Sequence, residues 1–179
     1  MSAPYNPSWE AGLAARIRGG GRERSAAFAE VVTTFQPQVH QLAGMLTRSP
    51  AEAEDVSQEV FLAVFRGLRG FRAEARLSTW IYRITLRTAA RVRARRSPGE
   101  PLPEDLPAPM GPDPAVRAEE LRALQAAMER LSEGHRVVLA LFAVEGLSHR
   151  AIASVLGVPE GTVWSRLHTA RKRLRDELG

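Results

Sequence analysis

Cysteine is absent from this chain of 179 residues, which excludes disulfides, thiolate metal sites and cysteine nucleophiles. Long apolar runs are missing too. The longest, Val137 to Val144, has eight residues, far short of the roughly 20 needed to cross a bilayer. The first twenty residues hold no apolar signal-peptide core; Glu10, Arg16 and Arg18 are scattered there among small side chains. A soluble, cytoplasmic chain with no membrane insertion is expected. The four histidines, His40, His135, His149 and His168, show no ligand spacing. No Gly-rich phosphate loop, nucleophile elbow or paired-carboxylate motif stands out either. The expectation is therefore no metal, no cofactor and no enzymatic centre. Lysine is reduced to Lys172; every other one of the 25 basic residues is arginine, the residue suited to planar contacts with phosphate or guanine.

What is present is segmented. The length suits one medium domain or two small ones. Residues 1–97 hold 15 basic and 8 acidic side chains, a net +7. Residues 98–114 hold four acidic and no basic ones, a net −4, and contain seven of the twelve prolines. Residues 115–179 hold 10 basic and 8 acidic, a net +2. Proline at every second or third position forbids helix and ladder pairing, so the middle stretch reads as an extended linker. Neither flank shows strand-like alternation, and both show apolar residues at helical spacing. The fold class expected is all-α: two small helical domains, 25–97 and 116–179, joined by an acidic Pro-rich linker over 98–115. Residues 1–24 would be a partly flexible N-terminal extension, with a short helix ahead of the Gly19–Gly21 joint. Domains this small suggest weak mutual docking and a flexible free state.

Local signals place the helices. Ser49-Pro50-Ala51-Glu52 combines a cap, a proline at the first helical position and a capping-box glutamate. Val56, Val60, Phe61, Val64 and Leu68 then share a face. A helix is expected before it, from about Ser25 to Leu46 with a bend at Pro37, and another after it, from about Ser78 to Arg96. In the second block Asp113-Pro114, Ser132 and Ser148 read as helix starts, Gly146 and Gly157 as helix ends, and a last helix covers about Glu160 to Leu178.

Two surfaces stand out. Within residues 148–174, Ala153, Gly157 and Val163 have the spacing of a helix-turn-helix, in which the second helix enters the major groove. On that helix Ser165, Arg166 and His168 are assigned to base edges, and Arg171, Lys172 and Arg173 mainly to phosphates. Trp164 shares the face of His168, Arg171 and Arg175; it either contacts DNA or packs internally. Arg173 and Arg175 could instead pair with Asp176 and Glu177. In the first block Arg83, Arg87, Arg91 and Arg95 form a stripe at intervals of four, widened by Arg93 and Arg96, with no acidic residue between Ala75 and Gly99. Phe71, Trp80 and Tyr82 lie just upstream, aromatic groups able to stack on unpaired bases or to serve as core. Together they point to nucleic acid that is single-stranded or being opened.

These residues carry a resemblance. AEAEDVSQEVFLAVFRGLRGF, ending at Phe71, followed by STWIYRI (78–84), resembles the clamp-binding and promoter-melting part of extracytoplasmic-function (ECF) RNA polymerase sigma factors. Residues 131–178 resemble that family's C-terminal domain. The resemblance implies that Asp55, Gln58, Glu59, Phe61, Leu62 and Phe65 grip the clamp of core RNA polymerase. It implies that the 72–79 loop, with Phe71, Arg72, Arg76, Ser78, Thr79, Trp80 and Tyr82, captures the minus-ten element, and that Arg83, Arg87 and Arg91 lie on adjacent DNA. Thr162, Trp164, Ser165, Arg166, His168, Thr169, Arg171 and Lys172 would read the minus-thirty-five element. The acidic linker would thread the polymerase's RNA-exit path. Partners implied are core RNA polymerase, promoter DNA both double-stranded and melted, and an anti-sigma factor, the free protein being a monomer. Arg87 replaces an asparagine common in the family, and Trp164 stands where lysine or arginine is usual. The competing reading is a stand-alone helix-turn-helix regulator; a nucleic-acid-modifying enzyme is more distant, because no acid or histidine pair converges.

Overall fold

The computed structural model describes residues 7–71, 76–95 and 114–178. Among them the backbone is helical apart from short turns, with no strand. The helices are α1 (Pro7–Gly19), α2 (Gly21–Leu46), α3 (Pro50–Gly67), α4 (Leu77–Arg95), α5 (Pro114–Arg130), α6 (Glu133–Glu145), α7 (His149–Leu156) and α8 (Glu160–Leu178), with a 3-10 turn at Leu68–Gly70. Most of the expected linker lies outside the described residues; its last two positions already belong to α5, where Pro114 opens the helix.

Capping fixes the joint between α2 and α3. The Ser49 hydroxyl accepts from the Glu52 N–H at 3.2 Å, and the Glu52 carboxylate reaches back to the Arg48 N–H at 2.8 Å. Such a cap contributes about 1 kcal/mol. The heptad-like ridge Ala27, Val31, Phe35, Val39, Leu42 and Leu46 of α2 packs on Val56, Val60 and Val64 of α3 and on Leu77, Ile81 and Ile84 of α4. Each large aliphatic side chain buried in this way contributes about 1.5–3 kcal/mol. The bend expected in α2 is replaced by one continuous helix through Pro37, four residues longer at its start. Pro37 and Thr33, whose carbonyl loses its helical donor, are both on the exposed side, so water can satisfy that carbonyl.

The N-terminal extension needs correction in its described residues. It is a docked helix: Leu13 and Ile17 of α1 are buried against α2. Glu30 of α2 ties it down, accepting from the Trp9 indole and the Arg16 guanidinium. Glu10 accepts from the Leu77 N–H at 3.2 Å, so α1 also caps the start of α4. Burial pushes the Glu10 carboxyl up from the ordinary range, although the Leu77 bond and Arg76 pull the other way.

The two domains are also docked rather than loosely tethered. α6 packs on α2, and α7 on α4, within one continuous core. Arg83 of α4 donates to the Val155 carbonyl at 2.9 Å and the Ser154 carbonyl at 2.5 Å, satisfying the end of α7. Arg48 pairs with Glu129 at 3.2 Å. Between them lies a mostly apolar cleft of about 330 Å³, lined by Met45, Ala53, Leu124 and Met128 with Arg93 and Arg136.

Candidate nucleic-acid interface

On α3 the clamp candidates divide between two faces. Asp55, Gln58, Glu59 and Leu62 recur at three- and four-residue intervals and line a shallow recess with Val92 and Arg95 of α4. Leu62, 55% exposed, is an apolar group ringed by charge. Phe65 lies instead over the α2 side, edge-to-face with Phe28 at 4.9 Å and under the Arg24 guanidinium at 4.5 Å. Phe61 is half-buried against the core.

On α4 the arginine stripe is less uniform than its spacing suggests. Arg91 bonds to Glu59, and Arg95 pairs with the same carboxylate at 3.7 Å. Arg83 is engaged with α7. Arg93 turns inward towards the Leu46 carbonyl at 3.5 Å, and burial, with Arg48 nearby, pulls its pKa below the usual arginine value. Arg87 stays exposed. The neutralising acid comes from a different helix, so the local charge pattern of α4 could not show it.

The aromatic residues also separate. Tyr82, 2% exposed, is a core residue, and Thr79, 7% exposed, is buried beside it. Both are corrections: one helical turn carries Thr79, Tyr82 and Ile81 inward, which leaves neither free to meet a base. Trp80 is half-buried and leans on Phe71, ring centroids 5.3 Å apart. Its indole passes directly over Gly67, where a methyl group would meet Cζ2 at 2.8 Å. Trp80, Arg87 and Arg91, with Ala63, Gly67 and Ile84, line an open recess of about 420 Å³. An indole edge beside guanidinium groups is a setting that can stack a base and hold its phosphate. Ser78 is half-buried and Arg76 exposed at the start of α4, while Arg72 lies outside the described residues.

The helix-turn-helix is formed by α7 and α8. The Ser148 hydroxyl caps α7 by accepting from the Ala151 N–H, and Gly157 ends it with φ 67°. A left-handed turn there favours glycine. Ile152, Val163, Leu167 and Ala170 are buried between the helices, which fixes the opposite face of α8 outward. That face carries Trp164, Ser165, His168 and Lys172. Trp164 is 61% exposed, so of its two expected placements internal packing is excluded here. Arg166 leans on α6, its guanidinium 3.5 Å from where a Gly134 Cβ would stand. Arg171 covers the Phe142 ring at 4.4 Å. Thr162 and Thr169 are half-buried, and the Thr162 carbonyl accepts from the Ser165 hydroxyl. Glu177 bonds with Arg130 of α5 rather than with its own helix. His135 on α6 sits below the ordinary histidine pKa, through burial first and then Arg173 and Arg166.

Among the described residues no helix is long and apolar enough to cross a membrane, and no group of three His, Asp or Glu could hold a metal ion. Docked helical domains with a helix-turn-helix in the second and an aromatic-arginine recess in the first define a DNA-directed transcription protein. The Sigma-70 region 2 family matches residues 31–98, and the Sigma-70 region 4 family residues 121–174. The RNA polymerase sigma-H factor of Pseudomonas aeruginosa is 32% identical, over 93% of this chain and 92% of its own length. The ECF RNA polymerase sigma factor SigM of Mycobacterium tuberculosis is 34% identical, over 93% and 83%. SigE of Mycolicibacterium smegmatis is 36% identical over 83% of this chain, which spans 60% of that longer protein. Among solved structures, CnrH in complex with the cytosolic domain of CnrY has a TM-score of 0.72 and 27% identity, covering 93% of this chain and 94% of that one. The chain belongs to the ECF sigma factors of RNA polymerase, the family whose function is promoter-specific initiation of transcription.

Proposed function

We propose that α3 docks on the clamp of core RNA polymerase through Asp55, Gln58, Glu59 and Leu62, while the Trp80 recess holds a melted minus-ten strand and α8 reads the minus-thirty-five element. Leu62 is the observation that carries the polymerase assignment. Leu62 offers a partner an apolar contact point rimmed by Asp55, Gln58 and the Glu59–Arg95 pair, the pattern of an apolar anchor within a polar edge. The chain then acts without chemistry of its own, in the cytoplasm, leaving phosphoryl transfer to the polymerase. Its acidic 98–115 linker would follow a basic RNA path in that enzyme.

The docked arrangement engages Arg83 with α7 and keeps the two proposed DNA surfaces on packed domains. Reading two separated promoter elements then requires the domains to part. A partner that binds this chain as the cytosolic domain of CnrY binds CnrH, or as the anti-sigma factor NepR binds the Bartonella quintana sigma factor RpoE, would act by holding this chain, a monomer when free, in a form that cannot part.

Gel filtration with purified core polymerase tests the clamp surface. The native chain is expected to co-elute, and Asp55→Arg combined with Leu62→Glu, both at exposed positions, to elute alone with unchanged helicity. Equal co-elution of the double variant would remove α3 as the docking face. No co-elution of the native chain would turn the reading to a stand-alone regulator.

A further inference from the structure

The exposed face of α8 carries an aromatic pair near its start. Trp164, 61% exposed, is a large apolar side chain that stands mostly in solvent. The Trp164 and His168 rings are stacked, centroids 5.6 Å apart and planes 10° from parallel. Val163, Leu167 and Ala170 are buried on the other side of the helix, so the indole cannot rotate inward without unseating the helix. The stacked His168 ring narrows the orientations open to the indole.

The nearby guanidinium groups are engaged elsewhere. Arg166 lies along α6 at Gly134, and Arg171 lies over Phe142. Bidentate recognition of guanine needs such a fork aimed at the groove. At the first exposed turn of α8 the chemistry presented is instead a flat apolar ring. In the major groove the apolar group on a base edge is the C5-methyl of thymine.

We propose that the Trp164–His168 pair is a specificity determinant of this chain, reading the C5-methyl of one thymine in the upstream promoter element. This rests on α8 reading that element. Trp164 supplies the contact, with the His168 ring stacked beside it.

The test replaces each thymine of the upstream element, one at a time, by deoxyuridine, which removes only the methyl group. Affinity is measured for holoenzyme reconstituted from core polymerase and the full chain, on a promoter recovered by selection from randomised templates. At one thymine the substitution is expected to weaken native holoenzyme about fourfold, the equivalent of one buried methyl of about 0.8 kcal/mol. Trp164→Ala holoenzyme, still co-eluting with core, is expected to bind thymine and deoxyuridine alike there. Insensitivity of the native protein to deoxyuridine at every thymine would overturn the proposal, as would undiminished sensitivity in Trp164→Ala or loss of its core binding. A fully scrambled upstream element separates the two levels. If scrambling weakens native binding and deoxyuridine does not, α8 reads DNA but not through a methyl; if scrambling has no effect, the reading by α8 fails as well.

Discussion

At the scale of single residues, two arginines show how differently one side chain type is used. Arg136, 5% exposed, donates to the carbonyls of Met128, Glu129 and Leu131 and so closes the end of α5. Arg136→Leu strands three inward carbonyls, and a loss of about 3 kcal/mol is expected, read as a lower urea midpoint in the full chain. Arg87 is exposed beside Trp80. Arg87→Ala should change stability by less than about 0.5 kcal/mol, yet reduce the salt dependence of promoter binding by holoenzyme by about one unit of slope. A change in stability without a change in slope would make Arg87 an ordinary surface residue. Sequence spacing put both on helices but could not separate them, because the carbonyls around Arg136 come from another helix. Tyr82 shows the same limit: its neighbours Trp80 and Arg83 suggested a DNA surface, and the rotation of α4 placed it in the core.

At the scale of elements, the clearest signals were local. Ser49-Pro50 and Ser148 start helices where expected, and Gly157 ends one in the left-handed turn that glycine permits. The docking of α1 was not legible, since its apolar residues are few and their partners lie on α2. That docking has a pH dependence. The Glu30 carboxyl is held below its ordinary 4.5, by the Arg16 bond first and the Trp9 bond second. The unfolded chain therefore binds its proton first, so the contribution is full above about pH 4.5 and is lost as pH falls through the lower folded value. The protection factors of the Leu13 and Ile17 amides, taken relative to the intrinsic exchange rate at each pH, should fall on acidification over that window, and Glu30→Gln should flatten the change while giving lower protection at pH 7. Equal acid sensitivity in Glu30→Gln would assign the effect elsewhere.

At the scale of the whole molecule, the all-helical character of both blocks was readable from periodicity, while their contact was not. Arg83 and the carbonyls of Ser154 and Val155 are more than seventy residues apart, and no local pattern links them. Arg83→Ala is expected to loosen the contact by about 1 kcal/mol, seen as a larger radius of gyration in solution scattering with helicity retained. An unchanged radius would mean that the apolar contacts of α6 with α2 hold the domains alone. The most direct measurement of promoter-specific initiation is transcription from a template library randomised upstream of the start site, with core polymerase alone and with the chain added. Two enriched sequence blocks, near minus ten and minus thirty-five and dependent on both proteins, are the expected result. Transcripts no different from those of core alone, together with a palindrome selected by the isolated chain, would contradict it.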